Sequence, residues 1–294
     1  MRLNDNMRGA ALMTGCVSAY VINDAFMKFL FSDIALFQAV FLRSIITVPP
    51  VLLLVWVTKV TLRNLAKQDI RLIWLRVGAE ICTTVAFLTA LKYMPLANVT
   101  AILQALPLAV TMAAALFLAE PIGWRRWSAI LVGFMGVLIV VRPGLDGFNV
   151  YSLSALAAII FITVREIATR KLAQEVPTIT VVLSTAIGSA VFAGIMMVGA
   201  EWHAVSTSSW LLLIGAAFAV LIATLLSVMA MRTGEIGFVS PFRYTSMIGA
   251  IGLGILMFGE WPDQPTLAGT LIIVMTGIYT FHREQKISRG VAAT

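Results

Sequence analysis

Charge is what this chain has least of. Of its 294 residues only 12% are Asp, Glu, Lys or Arg, while 60% are hydrophobic. A water-soluble domain of this size carries roughly a quarter charged residues, so most of the chain has no face to offer water. Cysteine is nearly absent too. Cys16 and Cys82 exclude a disulfide framework or a cysteine metal cluster, and both sit in apolar runs where a small buried hydrophobe is expected. The two histidines, His203 and His282, lie near segment ends, which excludes HExxH and a buried histidine pair. There is no phosphate-binding loop, no GxSxG and no dinucleotide fingerprint. No catalytic residue, no metal and no other cofactor is therefore expected, and the chain reads as a non-enzyme.

What is present is a succession of apolar runs. The first, MRLNDNMRGAALMTGCVSAYVINDAF, has Arg2 and Arg8 ahead of it like a signal peptide. It continues through Asn23, Asp24 and Lys28 without a small-residue cleavage site, so a retained helix is expected. A membrane-crossing helix needs about 20 mostly apolar residues. Ten segments qualify: 9–31, 35–57, 72–92, 96–118, 124–141, 152–172, 178–199, 209–231, 236–258 and 265–282. With the N-terminus inside, fourteen connecting Lys and Arg residues fall on the inner side and only Lys92 and Arg142 on the outer. That asymmetry predicts cytoplasmic termini. It also explains the net charge of +7 as a girdle facing anionic lipid, with no need of nucleic acid.

The third and fourth runs align without gaps on the eighth and ninth at an offset of 140. Ala90 meets Ala230, Lys92 meets Arg232 and Glu120 meets Glu260. The first and sixth align at 142, where Asp24 meets Glu166 and Lys28 meets Arg170. Each half, 1–145 and 146–294, then holds five spans. An odd number forces the second half to insert upside down, the inverted-repeat arrangement of secondary transporters.

The string ALKYMPLANVTAILQALP, followed by FLAE, GW and GFMGVLIVVRPG, resembles the EamA branch of the drug/metabolite transporter superfamily. The second half keeps a more degenerate version, with GEIGFVSP and FGEWP, so the resemblance covers nearly the whole chain. It implies an all-α membrane protein of ten helices in two inverted five-helix repeats, with a central cavity. It also implies movement of small metabolites such as amino acids, nucleotide-related compounds, vitamins or other organic ions. The expected setting is the cell inner membrane, multi-pass, with a small-molecule substrate and the lipid bilayer as partners and the chain a monomer or homodimer.

Eight ionisable residues fall within spans: Asp24, Lys28, Arg43, Arg76, Glu80, Arg165, Glu166 and Arg243. Charges at such depth are costly and face the interior or a wet cavity. Arg76 and Glu80, four apart, suit an ion pair within one helix. Asp24 and Arg43 suit a cross-helix pair. Arg165 and Glu166, being adjacent, point about 100° apart on a helix; either line a cavity or form its inner rim. Arg243, in SPFRYTS, has no acid within four residues, Glu235 being two turns away. It either bridges to Glu80 or Glu166 or uses its donor fork on a ligand anion, and the two states can alternate. Ser240, Tyr244, Gln104, Asn23 and Thr100 are candidate polar contacts for the ligand, with Ser246 following Arg243. Pro107 and Pro241 are candidate hinges in the corresponding spans of the two halves. The eight charges sum to five basic against three acidic, favouring an anion or the carboxylate of a zwitterion. The expected function is a secondary active or exchange transporter working by alternating access. A channel or non-transporting scaffold is the alternative, and a membrane-embedded lipid-modifying enzyme a weaker one.

Overall fold

The structure is a computed structural model that describes residues 3–59, 65–117, 123–144, 148–233 and 239–291. Glu120 and Glu235, singled out above, lie outside them, as does the Ser240 side chain. The described residues hold eleven α-helices, one 3-10 turn and no strand. The helices are α1 (Leu3–Leu30), α2 (Leu36–Thr58), α3 (Lys67–Tyr93), α4 (Leu96–Leu103), α5 (Leu106–Phe117) and α6 (Trp124–Val141). There follow α7 (Ser152–Lys171), α8 (Thr178–Met196), α9 (Thr207–Thr233), the 3-10 turn (Ser240–Tyr244), α10 (Thr245–Phe258) and α11 (Gln264–Val291). Because α5 continues α4 and α10 continues the 3-10 turn, these elements make ten rods at the ten expected positions.

Eight of the rods are long and apolar enough to cross a membrane, and α6 and α11 contribute shorter apolar stretches, Trp127–Val141 and Gln264–Tyr279. Large apolar side chains point outward: Trp74, Ile248 and Leu256 are 69%, 77% and 83% exposed. Apolar surface on that scale would be unfavourable in water and belongs against lipid. The chain is thus a multi-pass membrane protein. Cys16 is buried as expected, but Cys82 is exposed on α3, because it lies on the outward face of that helix.

The most extensive helix pairings are α1 with α9, α3 with α7, α6 with α11, and α2 with α8. Each joins the first half of the chain to the second. Small residues set how closely they approach. A Cβ on Gly215 would meet Phe26 of α1 at 2.7 Å, and one on Gly188 of α8 would strike Val77 of α3. Where α6 and α11 cross, the backbones themselves touch: a Cβ on Gly136 would lie 2.8 Å from Gly269 O, and one on Gly269 2.6 Å from Gly136 O.

The two candidate hinge prolines sit beside a break rather than at the bend of a continuous helix. The fourth rod is interrupted at Gln104 and Ala105, where the N–H groups of Gln104 and Ala105 take shortened turns back to Ala101 and Ile102. Pro107 follows in the first turn of α5, where its missing N–H costs nothing. Pro241 lies likewise at the start of the 3-10 turn that leads into α10, so it opens that segment instead of kinking it.

Candidate functional site

A cavity of about 130 Å³ forms where α1, α2, α3, the α4–α5 break, α7, α9 and the 3-10 turn converge. A water needs roughly 10–15 Å³ by this measure, so about ten fit. Their liquid volume, about 300 Å³, is at the lower end for small-molecule sites. Helix periodicity builds the walls. Tyr20, Val21 and Asp24 recur along α1 after Val17 at steps of three and four, as do Thr83, Thr84 and Phe87 along α3 after Glu80. The α4–α5 break supplies Thr100, Leu103 and Gln104, with Gln104 donating to Ser246 Oγ of α10 at 3.3 Å. Arg43 comes from α2, Arg165 from α7 and Arg243 from the 3-10 turn.

Eight of the residues proposed from sequence therefore line one cavity: Asn23, Asp24, Arg43, Glu80, Thr100, Gln104, Arg165 and Arg243. Glu166 stands just behind, 2% exposed. Its Oε1 accepts from Arg243 Nη2 at 2.6 Å and lies 3.6 Å from Arg165 Nη2. Arg165 Nη1 donates to Glu80 Oε2 at 2.8 Å. A buried relay thus runs from the 3-10 turn through α7 to α3, and of the two partners open to Arg243 the structure adopts Glu166.

Other pairings differ from expectation. Glu80 turns to Arg165 on α7 instead of to Arg76 on its own helix. Arg76 donates from Nε to Thr169 Oγ1 at 2.9 Å and from Nη1 to Thr185, because α7 and α8 bring hydroxyls against it. Asp24 and Arg43 form no direct pair; the Asn23 amide stands between them. Tyr244 does not line the cavity. It packs into the core against Gly277 of α11, and its hydroxyl has no partner among the described residues.

Lys28 leaves the set altogether. It donates to Glu260 Oε1 at 2.6 Å and to Met94 O at 2.8 Å, while Glu260 Oε2 accepts Leu96 N–H at 2.9 Å. Glu260 is aimed there by the left-handed turn at Gly259 (φ 64°), whose following N–H returns to Gly254 O at 3.0 Å. With Lys28 withdrawn, the charges lining the cavity are three arginines against Asp24 and Glu80, a smaller excess than the whole set suggested. Thr83, Thr84 and Phe87 were not identified from sequence. Their spacing from Glu80 along one helix face is the signal that marks them.

The EamA-like transporter family model matches residues 7–142 and again residues 150–281. The chain belongs to the EamA-like transporter family. Among its relatives is a riboflavin transporter of Vibrio cholerae, 30% identical over 73% of this chain and 72% of that one. The S-adenosylmethionine uptake transporter of Rickettsia conorii is 26% identical over 67% and 66%. The pseudopaline exporter of Pseudomonas aeruginosa is 24% identical over 93% and 96%. One solved crystal structure superposes with a TM-score of 0.67 at 17% identity, covering 94% of this chain and 96% of that one. At that identity it speaks for the fold alone. An EamA-like fold accounts for the ten rods and for a cavity walled by both matched stretches.

Proposed function

We propose that this EamA-like protein is a secondary carrier that moves a small organic anion or zwitterion across the inner membrane by alternating access. The observation that carries the reading is the charged cavity walled by helices of both halves, with charges at a depth where they need a partner. The relatives named for riboflavin, S-adenosylmethionine and pseudopaline support a small metabolite as cargo. They include an uptake transporter and an exporter, so the direction of flux does not follow from kinship.

Ten spans in two inverted repeats, 1–145 and 146–294, with cytoplasmic termini, is the topology this function calls for. Its support is the packing pattern, which maps onto itself when the halves are exchanged. The α1–α9 pairing becomes α7–α3, while α2–α8 and α6–α11 map onto themselves. In this reading Arg243 holds Glu166 in one state and the substrate's anionic group in another, with the Glu80–Arg165–Glu166–Arg243 relay linking cargo to helix movement.

The test is counterflow in proteoliposomes, using a panel of labelled carboxylates, amino acids, nucleotide-like anions and organic cations. A carrier gives saturable uptake that accelerates when the same compound is loaded on the trans side. Arg243→Gln should abolish that uptake for anions and zwitterions. Uptake that neither saturates nor responds to trans loading means a channel. A preference for cations alone removes Arg243 from the substrate site.

A further inference from the structure

One group in the cavity is neutral where its neighbours are charged. Asn23 Oδ1 accepts from Arg43 Nη1 at 2.9 Å, and Asn23 Nδ2 donates to Asp24 Oδ1 at 2.9 Å. Arg43 and Asp24 are 6% and 9% exposed and both line the cavity. Among the described residues neither forms an ion pair, whereas Arg165 is matched by Glu80 and Arg243 by Glu166. Among the described residues Arg43 Nε on α2 and Thr83 Oγ1 on α3 are buried without a partner. A buried charge without a counter-charge is unfavourable, and a ligand that supplies one gains accordingly.

We propose that Arg43, Asn23 and Asp24 form the head-group subsite and that it reads a zwitterion of the α-amino-acid type, its carboxylate on Arg43 and its ammonium on Asp24. The inference rests on the carrier reading of the cavity and narrows its substrate class. The Asn23 amide presents an acceptor to Arg43 and a donor to Asp24, the same polarity as that head, and so marks where it sits. A simple anion gains Arg43 but meets the Asp24 carboxylate; a simple cation meets the converse. Only a ligand carrying both signs satisfies both ends. Phe87, Leu88 and Leu103 give the rest of the molecule an apolar bed.

The test titrates thermal stabilisation of the purified chain with pools of the standard amino acids. Each responding amino acid is followed by its des-amino acid and its decarboxylated amine. In the wild type both truncated forms should bind at least about tenfold more weakly, the loss of one charge-assisted contact. Asp24→Asn should bring the des-amino acid level with the amino acid, and Arg43→Gln should do the same for the amine. A residue that merely holds the fold does not switch head-group preference in this way. Equal binding of an amino acid and its des-amino acid to the wild type overturns the proposal and leaves the anion carrier standing. Stabilisation by other anions but by no amino acid does the same. No response to any compound of either panel sinks both. Should a variant fail to elute as a monodisperse species, the wild-type ranking of the three head groups decides.

Discussion

Replacing Glu80 by Gln tests whether the charge relay is a bonded network or a set of neighbouring charges. Glu80 and Arg165 lie on different helices, 2.8 Å apart, with side chains only 12% and 6% exposed. Two unit charges about 4 Å apart attract by roughly 4 kcal/mol at the effective dielectric of protein sites. Desolvation offsets much of this, so the pair's net worth is small, but an orphaned partner is costly. Glu80→Gln alone, or Arg165→Gln alone, should each destabilise by about 3–5 kcal/mol. Arg165 retains Glu166 at 3.6 Å, which puts Glu80→Gln toward the lower end. The double variant leaves neither charge and should fall well short of the sum, giving a coupling of about 3 kcal/mol. The measurement is denaturant unfolding in detergent, followed by tryptophan fluorescence, for all four proteins of the cycle. Additivity within about 0.5 kcal/mol would refute the pairing.

The Lys28–Glu260 link joins the end of α1 to the start of α4 and the end of α10, and a partly exposed pair is worth about 1 kcal/mol, near fivefold in an equilibrium. Lys28→Met should therefore destabilise the fold by about 1 kcal/mol in denaturant unfolding; an unchanged midpoint would deny the link any net contribution. Gly269→Ala, whose Cβ would meet the α6 backbone at 2.6 Å, should cost about 1–3 kcal/mol, while Gly252→Ala, with nothing within 4 Å, should be neutral or stabilising. Equal unfolding midpoints for the two would refute the crossing geometry. Between α10 and α11, partial burial raises the Asp263 carboxyl, but hydrogen bonds from Arg142 and Thr266 outweigh it and hold the group below its usual value. Its contribution to stability is accordingly present above the unfolded carboxylate range and lost as pH falls through the lower folded value. Arg142→Gln should move the Asp263 titration, followed by carboxyl NMR, upward; no movement would deny the contact.

The rods were legible because hydropathy over some 20 residues needs no tertiary knowledge. Their positions in the structure differ mainly at the ends, as in α1, which begins at Leu3 and not at residue 9. The identities of the buried charges were legible for the same reason: a charge inside an apolar run stands out whatever surrounds it. Partners were not. Arg76 and Glu80 satisfy the spacing for a helical pair, yet α7 offers each a better-placed partner, and spacing on one helix says nothing of its neighbours. Lys28 looked like a cavity charge because its mate, Glu260, lies 232 residues away just past a helix end. Tyr244 looked like a ligand contact because it adjoins Arg243, but adjacent residues on a helical turn face different surroundings, and Tyr244 faces α11.

The crossing of α6 and α11 contributes no residue to the cavity. It is nevertheless where the two halves of the chain meet backbone to backbone, through Gly136 and Gly269. Side chains interposed between helices can trade rotamers and let one helix slip past another. Two backbones in contact have nothing to trade, and a shift of one residue would set Val137 of α6, or Thr270 of α11, where a glycine now sits. If the halves rock, this pair is therefore the fulcrum: it turns in place while the arms that carry Arg43, Arg165 and Arg243 sweep the larger arc. Motion at the site can then be large although the contact that supports it scarcely moves.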